Sequence, residues 1–567
     1  MKTFRLLTAL VATAALFANL SAQTTNTPVD VSTMAAQPDE DIILPALKGL
    51  RIVSDPALLE REFAPDGNLE ILGVPSLQNE DTLSLLSLFI DQPVSRESME
   101  RLQIALRLLL AQHGRAFSLV YTPPQDITDA RIQMVVQESV VGEVRVEGGR
   151  YFSDAHYLNR LGQIPGQPVN GRTLSAGVDR INGNAFLNAA TRVEAGAEPG
   201  TTDIIVQVKE RFPWRVFGGY SNTGTQATTE DRLNGGVSWG NAFGLGHQMS
   251  VQWSSDLEAR HSRSLSANYV ADLPQGQSIT VFGAYSEIES VPRGGLSQEG
   301  TSWQLGINYD LPLSDVSPRY THSLQFGADF KSSDNNIEFA LPPFLIPVSD
   351  NLTHIVQARA AYRAALSDRL GTTSGEIQVV ASPGGLSSEN KDAAFEGSRA
   401  MASASYLYGR LNLSRETNLD AILPGWSSMM RAEFQTSTSN LLGSELFSGG
   451  GSGSVRGYEQ GEVVGDKAFL FSAELVAPTI QPARQLFGSG LRDALTPYAF
   501  YDYARLWNVD KLSGERPFNL ASVGFGLRYQ LTQHGSLQAA YGWQLRDSGS
   551  SDTNRNSHLH ISASLSF

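Results

Sequence analysis

Hydrophobic and polar residues alternate with a period of two through most of the last two-thirds of the chain. In the final segment, Leu559, Ile561 and Ala563 alternate with histidine and serine residues, and the two segments before it repeat the pattern. Such alternation predicts β-strands with one apolar and one polar face. Sixteen strands are predicted in residues 212–567, starting near Trp214, Arg232, His247, Ser262, Gln277, Thr301, His322, Leu352, Thr373, Ser398, Ser427, Lys467, Thr496, Leu520, Ser536 and His558.

Soluble β-sandwiches and membrane β-barrels both show this alternation, so other features must distinguish them. The predicted strands are about ten residues long, which is the length that a tilted membrane-spanning strand needs. Aromatic residues such as Trp214, Trp239 and Trp543 lie near strand ends, as in the interface girdles of barrels. The second face carries small or polar residues that suit a wet lumen. These features favour a transmembrane antiparallel β-barrel.

The connections between the predicted strands alternate between short and long. Short turns on one side and long loops on the other are typical of outer-membrane barrels. The even number of strands places both ends of the barrel on the short-turn side. Long connections are predicted at residues 287–300, 332–350, 383–397, 437–466 and 505–519.

The preceding residues follow a mixed pattern that is typical of soluble domains. Met99, Leu102 and Leu106 recur at helical spacing and predict a helix over residues 95–113, which ends at Gly114. The predicted order of elements is β-α-α-β-β, and it occurs twice. The predicted strands cover residues 47–54, 116–122, 130–137, 142–147, 191–195 and 203–208, and the predicted helices cover 79–89, 95–113, 153–161 and 173–181.

This repeat indicates two small α+β domains, at residues 44–138 and 139–211. Each domain exposes a sheet edge, and such an edge can accept an extended peptide through main-chain hydrogen bonds.

The N-terminus has the pattern of an export signal. Lys2 and Arg5 precede an apolar stretch at residues 6–17, and Ser21 and Ala22 supply a small-residue cleavage site. We predict a signal peptide at residues 1–22. A flexible leader of low hydrophobicity is predicted at residues 23–43.

The composition narrows the possible classes of protein. The 567 residues include no cysteine, which excludes disulfides, thiol catalysis and cysteine-ligated metals. The formal charge of −15 argues against a protein that tracks nucleic-acid phosphates. No run of eighteen apolar residues follows the N-terminus, and a membrane protein without spanning helices can only be a closed β-barrel.

Two segments carry a resemblance to a known family. Residues 210–224 join the second small domain to the first barrel strand with the sequence ERFPWR followed by GGYSNTG. The tetrapeptide Val455-Arg456-Gly457-Tyr458 stands in a glycine-rich loop between the eleventh and twelfth predicted strands. Together these segments resemble the two-partner secretion transporters (TpsB; hemolysin secretion/activation proteins) of the POTRA–β-barrel outer-membrane assembly-factor superfamily. The resemblance implies that residues 44–138 and 139–211 are POTRA domains 1 and 2.

The resemblance also implies a lock inside the barrel. In this family the sixth extracellular loop folds into the lumen, and its arginine, here Arg456, meets the acidic residue of a Phe-x-Asp-x-Gly motif. The matching residues are Phe500, Asp502 and Ala504, with alanine where glycine is usual. The alternation of the strand directs Asp502 inward, because a carboxylate facing lipid is costly. The alternatives are a solvated loop arginine and an ordinary acidic residue of the lumen.

The resemblance makes the C-terminal strand, which ends in Phe567, an insertion signal that the barrel-assembly machinery reads. The alternative is an ordinary closing strand. Many family members also have an N-terminal plug helix, but Pro28 and Pro38 flank the short segment 29–36, and we expect no plug here.

Catalytic motifs are not found in the sequence. It contains no His-Glu-x-x-His, no Gly-x-Ser-x-Gly and no phosphate-binding Gly-Lys-Ser/Thr loop. His558 and His560 share one face of a strand, but two ligands without a third make a weak metal site. We expect no enzymatic activity, no cofactor and no metal.

The predicted function is an outer-membrane pore that secretes, and can activate, a large partner exoprotein. The resemblance implies capture of an unfolded TpsA-like exoprotein by the periplasmic POTRA domains, contact with outer-membrane lipid, insertion by the barrel-assembly machinery and a monomeric state, without nucleic acid. One alternative is an assembly or insertion factor of the same superfamily, although those usually carry three or more POTRA domains. The others are a passive porin-like barrel and a secreted or outer-membrane enzyme.

Overall fold

The computed structural model describes residues 41–567 except 62, 64–67, 274, 291–295, 314–316, 318, 342–343, 484–491, 533 and 550–555. The predicted signal peptide, the segment 29–36 and nearly all of the leader lie outside the described residues. The chain divides into two compact units, with the boundary between Pro213 and Trp214.

The first POTRA-like module has a four-stranded sheet. The sequence predicted three of these strands and missed the fourth, Leu69–Leu72, which pairs in parallel with the first long strand. The strands are β1 (Ile42–Leu44), β2 (Gly49–Val53), β3 (Leu69–Leu72), β4 (Val94–Ser95), β5 (Leu119–Tyr121) and β6 (Arg131–Gln137), and the helices are α1 (Glu80–Ser87) and α2 (Arg96–Gln112). The sheet order is β3-β2-β6-β5, and β1 pairs with β4 apart from it.

The start of α2 is set by local hydrogen bonds. The Ser95 hydroxyl accepts the backbone N–H of Ser98, and the Ser98 hydroxyl accepts the backbone N–H of Ser95. This reciprocal capping satisfies two donors that a helix start leaves free. Leu102, Leu106 and Leu109 then lie on the buried face and pack into the core of the module.

The second module has the order that the sequence predicted. Its elements are β7 (Val140–Glu147), α3 (Asp154–Leu161), α4 (Gly171–Asn182), β8 (Leu187–Ala195) and β9 (Thr201–Glu210). The central strand β9 pairs in parallel with β7 and antiparallel with β8, so β7 and β8 form the edges of the sheet. Tyr157, Leu161 and Ile181 from the helices are buried against the sheet.

Glu210, the first residue of the segment that resembles the family junction, is tied into this second module. Its carboxylate accepts the Tyr157 hydroxyl at 2.5 Å and the backbone N–H groups of Arg150 and Tyr151. Burial raises the pKa of the Tyr157 hydroxyl, and the hydrogen bond to Glu210 raises it further, so Tyr157 stays a donor. The carboxylate therefore holds the loop after β7 against the end of β9.

The second unit is a closed barrel of sixteen antiparallel strands, which confirms the predicted fold class. The strands are β10 (Trp214–Ser221), β11 (Arg232–Ala242), β12 (His247–Ser255), β13 (Ser262–Asp272), β14 (Ser278–Glu289), β15 (Leu296–Pro312), β16 (Tyr320–Leu341), β17 (Phe344–Ser367), β18 (Gly371–Ser382), β19 (Tyr406–Asn418), β20 (Ser427–Ser437), β21 (Phe447–Gly449), β22 (Val463–Gly465), β23 (Lys467–Val476), β24 (Asp493–Trp507), β25 (Phe518–Leu531), β26 (Gly535–Gln544) and β27 (Ser557–Ser566). Of these, β21 and β22 pair only with each other, within a loop. The other sixteen form the wall, which closes where β10 pairs with β27.

The two faces of the wall strands differ as the alternation predicts. Along β24, Phe500, Asp502 and Ala504 are buried, whereas Tyr501 between them is 42% exposed on the outer face. Trp214 and Trp543 are also exposed, as residues of a lipid-facing surface are. No helix in the described part of the chain is long and apolar enough to cross a membrane.

Two predicted connections and one predicted strand start are wrong. The connection expected at residues 287–300 is shorter, because β14 continues to Glu289 and β15 begins at Leu296. The loop expected at residues 332–350 is mostly strand, because β16 and β17 continue as one hairpin with pairs such as Asn335 with Asn351 and Leu341 with Phe344. The backbone ladder does not require alternating side chains, so the pairing continues where the sequence pattern stops. The strand expected to start near Ser398 begins at Tyr406, since a short helix, α5 (Asp392–Ser398), precedes it.

Replacement of Glu210 by alanine should destabilise the second module. The change removes a charged acceptor from Tyr157 and from two backbone donors, and hydrogen bonds to charged groups contribute about 1.5–3 kcal/mol each. The measurement is pulse proteolysis of the purified full-length protein in urea, read at fragments from residues 139–211. Glu143→Ala, in the same module but at an exposed position, is the control, and equal urea midpoints for the two variants would contradict the prediction.

Candidate functional site

The sixth long loop, residues 438–466, folds back into the barrel instead of lying in solvent. It contains a short 3-10 helix (Gly443–Glu445) and the hairpin of β21 and β22. In the segment that joins β21 to β22, Val455 and Tyr458 are fully buried, and Arg456 is 6% exposed. This is the sixth connection on the long-loop side, where the resemblance placed it.

The structure brings Arg456 into direct contact with Asp502 on β24. The guanidinium donates from Nε to Oδ2 and from Nη2 to Oδ1, both at 2.8 Å, and the backbone N–H of Arg456 donates to Oδ2 at 3.0 Å. The pair is bidentate, which is the strongest geometry available to an arginine and a carboxylate. The guanidinium also lies over the Phe500 ring, 3.7 Å from its centroid.

A second carboxylate and a hydroxyl complete the site. Glu474 on β23 accepts from Nη1 of Arg456 at 2.5 Å and from Arg528 on β25 at 2.6 Å. The Ser472 hydroxyl donates to Asp502 at 2.7 Å. Two arginines therefore face two carboxylates, so the charges of the site balance. Removal of Arg456 or Asp502 leaves an uncompensated buried charge, which is costly.

Gly457 and Tyr458 attach the loop to the last three strands of the wall. Gly457 has a φ of +92°, and a Cβ at this position would lie 2.9 Å from the backbone of Gly542. Its N–H donates to Nε2 of His560 at 3.2 Å, and its carbonyl accepts from Gln544 at 2.8 Å. Only glycine combines this backbone conformation with so close an approach.

The Tyr458 side chain is held at its hydroxyl. The hydroxyl donates to the carbonyl of Arg546 at 2.6 Å and accepts the N–H of Ala521 at 3.1 Å. Its ring packs in an apolar cluster with Val455 and Ala504. Alanine at position 504, where the family pattern has glycine, therefore contributes a methyl group to the surface on which the loop packs.

Sequence reasoning named Arg456, Asp502 and Phe500 but missed most of the surrounding partners. Ser472, Arg528 and Gln544 carry no motif and lie on separate strands, so no local signal marks them. The sequence indicates His560 only as part of a weak metal pair, whereas in the structure its ring accepts a hydrogen bond from the backbone of Gly457. No group of three or more potential metal ligands occurs among the described residues.

Phe567 lies at the closure of the barrel and not at the loop. Its N–H donates to the carbonyl of Val216 at 2.9 Å, and its carbonyl accepts the N–H of Val216 at 3.0 Å. The side chain is 75% exposed and stacks on the His534 ring at 5.6 Å. Its role in insertion stays a prediction.

The fold and this site define the class: an outer-membrane β-barrel that follows POTRA-like modules and carries its sixth loop in the lumen. A family model described as haemolysin secretion/activation protein ShlB/FhaC/HecB matches residues 200–529. The chain belongs to this family.

Curated relatives agree with this assignment. The hemolysin transporter protein ShlB of Serratia marcescens is 24% identical over 517 residues, which cover 88% of this chain and 86% of the relative. The outer membrane transporter CdiB-2 of Burkholderia pseudomallei (strain 1026b) is 23% identical over 439 residues, which cover 76% of this chain and 70% of the relative.

Solved structures share the fold. CdiB from Escherichia coli superposes with a TM-score of 0.76 at 16% identity, covering 95% of each chain. BamA from Haemophilus ducreyi lacking POTRA domains 1–3 superposes with a TM-score of 0.52 at 17% identity, covering 87% of this chain and 97% of that chain. At these identities the likeness concerns the fold alone.

The chain is therefore an outer-membrane transporter of the two-partner secretion type, with its POTRA domains in the periplasm, as the sequence predicted. Its family is one of secretion transporters and not a family of enzymes.

Gly457→Ala should release the loop from the wall. The added Cβ meets the Gly542 backbone, and the left-handed conformation costs a residue with a side chain about 1–3 kcal/mol. We expect trypsin added to intact cells to cleave after Arg456 in the variant more readily than in the parent chain. Gly453→Ala is the matched control, because its Cβ would enter open space, and equal cleavage in the two variants would contradict the prediction.

Proposed function

We propose that this transporter moves an unfolded partner exoprotein through the barrel lumen, and that release of Arg456 from Asp502 is the step that opens the path. The observation that supports the proposal is the bidentate ion pair, which holds the tip of the sixth loop, residues 450–461, inside the lumen. A loop in that position occupies space through which a polypeptide would pass. Its anchor is a set of polar contacts, which can re-form with water or with a passing chain.

The lumen around the tip suits an unfolded polypeptide. A cavity of about 520 Å³ lies next to the tip and is lined by small and polar wall residues, among them Ser536, Gln538, Ser562 and Ser564. An unfolded chain exposes backbone N–H and C=O groups that need hydrogen-bond partners. A polar wall with water supplies these partners without binding any one side chain tightly.

Capture of the exoprotein is assigned to the POTRA domains. In the first module β5 is an edge strand, and Leu119 on β5 and Ile104 on α2 are exposed. In the second module β7 and β8 are edges. An extended segment of exoprotein can add to such an edge through main-chain hydrogen bonds, while apolar side chains such as Leu119 contact alternate residues of the segment.

The partner is proposed to be a large secreted protein of the kind that the relatives carry, and the transporter is proposed to act as a monomer. The relatives' names refer to hemolysin and to heme/hemopexin transport. We propose that folding of the exoprotein outside the cell drives export, since a folding free energy of about 5–15 kcal/mol opposes return of the chain.

Arg456→Ala and Asp502→Ala should each lower export while the barrel stays folded. Each change leaves a buried charge without its partner, which costs about 3–5 kcal/mol at a buried pair, so the tip no longer returns to its docked position. We propose that export needs docking as well as release, so loss of the docked state lowers it. The measurement is the amount of partner exoprotein in the medium, normalised to the folded barrel in the outer membrane. The exoprotein is identified beforehand by comparing secreted proteins with and without the transporter.

Arg415→Ala is the control for this experiment. Arg415 pairs with Asp368 at 2.7 Å near a short turn, so its loss removes an arginine–carboxylate pair outside the sixth loop. Export by the Arg456 and Asp502 variants equal to that of the control would refute the role of the ion pair. Loss of assembled outer-membrane proteins, with secretion unchanged, would favour an assembly factor instead.

Deletion of Phe567 should lower the amount of barrel in the outer membrane. We propose that the exposed terminal aromatic residue is read by the barrel-assembly machinery, together with lipid-facing residues of β27. The measurement is the folded fraction, seen as heat-modifiable mobility on gels. Phe434→Ala removes another exposed phenylalanine from the wall and serves as control, and a normal yield after deletion would count against the insertion role.

A further inference from the structure

The first part of the sixth loop is held by another buried carboxylate, that of Glu445, which belongs to no motif of the sequence. Glu445, at the end of the 3-10 helix, is 1% exposed. Its Oε1 lies 2.5 Å from the Lys331 ammonium on β16, and its Oε2 accepts the Tyr408 hydroxyl on β19 at 2.8 Å and the Gln357 amide on β17 at 3.2 Å. These strands belong to a different part of the wall from β23–β27.

The backbone at the same position is also bound. The carbonyl of Glu445 accepts from Arg410 at 3.2 Å and from Gln435 at 3.1 Å. Gln357 is itself oriented by the Tyr406 hydroxyl, which donates to its amide oxygen at 2.7 Å. Both the side chain and the main chain of Glu445 are thus fixed by the barrel wall.

The carboxylate of Asp466 ties the two ends of the loop together. Asp466, at the end of the loop, is fully buried and accepts the N–H of Leu441 at 2.8 Å, near the loop's beginning. It also pairs with Arg399 at 2.6 Å and accepts the N–H of Val509 at 3.1 Å. Arg399 and Val509 lie in the neighbouring long connections, so Asp466 joins three of them.

Apolar packing strengthens this region. Leu441 and Leu442 pack with Phe395 of α5 and with Tyr406 and Ile355 of the wall. We call residues 439–446 together with Asp466 the root of the loop. The root has a small hydrophobic core of its own, in addition to its polar anchors.

The remaining part of the loop is connected to the root through a base that contains glycine residues. We call residues 450–461 the tip. At its base the N–H of Gly461 donates to the carbonyl of Gly450 at 3.3 Å, and Gly450 has a φ of +99°. Glycine at this position permits backbone rotation that other residues resist. The tip carries Arg456 and the contacts with β23–β27 described above.

We propose that Glu445 is the positioning residue of the sixth loop: it holds the root on β16–β19, so that the tip leaves the lumen by pivoting about its glycine base while the root stays in place. The loop is thereby anchored at two independent sites, and release of Arg456 does not release Glu445. This proposal depends on the proposed function in one respect, namely that movement of the tip serves export. The structural division into root and tip is tested without export.

Thiol labelling tests this division directly, because the chain contains no cysteine and an introduced cysteine is its only thiol. One reporter, Leu442→Cys, is in the root, and the other, Val455→Cys, is in the tip; the parent residues are 5% and 0% exposed. Each reporter is combined with Arg456→Ala, Glu445→Ala or the control Glu376→Ala. Glu376 is a lumen carboxylate that pairs with Arg363 within the wall. The rate of reaction with a membrane-impermeant maleimide is measured on intact cells.

In the Arg456→Ala background we expect labelling at position 455 to rise about tenfold or more, the change expected for loss of a charged hydrogen bond, while labelling at position 442 stays at the control rate. In the Glu445→Ala background labelling at position 442 should rise by a similar factor. A rise at both positions in Arg456→Ala would overturn the proposal, because the loop would then move as one body. Control-level labelling at position 442 in Glu445→Ala would overturn it as well.

A milder pair of variants covers the case in which Glu445→Ala lowers the yield of folded barrel. Glu445→Gln keeps the side-chain volume and an acceptor for Tyr408 but removes the charge that faces Lys331, and Lys331→Met removes the partner from the other side. Both should increase labelling at position 442 in the fraction that shows folded, heat-modifiable mobility. Failure of both to do so refutes the role of Glu445. Export in the Arg456 and Asp502 variants is a separate measurement, so either proposal can fail alone.

Discussion

Hydrogen bonding of the backbone in lipid is the constraint on which the rest of this structure depends. A polypeptide that crosses the hydrocarbon region must pair every N–H and C=O within itself, and a sheet can do so only if its last strand meets its first. Here β27 pairs with β10 and closes the sixteen-stranded wall. Closure gives each strand one face for lipid and one for an enclosed space. The lumen, the buried loop and the lock all follow from that division.

The enclosed face is where charge is concentrated. Arg456, Asp502, Glu474 and Arg528 form a balanced cluster at the tip of the sixth loop, and Lys331 with Glu445 forms another at its root. Buried ion pairs contribute little net stability compared with apolar packing, but they penalise wrong partners strongly. They specify where the loop sits without filling the lumen with an apolar core. Such a core would bind the loop permanently and leave no wet path for a passing chain.

The motif residues anchor the tip of the loop, and residues outside the motif anchor its root. The tetrapeptide at 455–458 supplies the contacts of the tip, with a glycine that fits against Gly542 and a tyrosine whose hydroxyl bridges two backbone groups. Residues outside the motif, above all Glu445 and Asp466, connect the loop to other strands of the wall and to the neighbouring connections. The family resemblance identifies the residues of the tetrapeptide, but it does not identify Glu445 or Asp466.

Much of this could be read from the sequence, because strand periodicity and helix capping are local. The sixteen strands, the order of the second module and the inward direction of Asp502 all follow from the spacing of residues along the chain. The same logic fails where alternation stops but the ladder continues, as in β16 and β17, and where a short pairing strand such as β3 has no distinctive pattern. The partners of Gly457 and Glu445 were decided only by the tertiary structure. These partners lie on strands that are far apart in sequence and that the curvature of the closed wall brings together. No local sequence pattern indicates which of these strands meet.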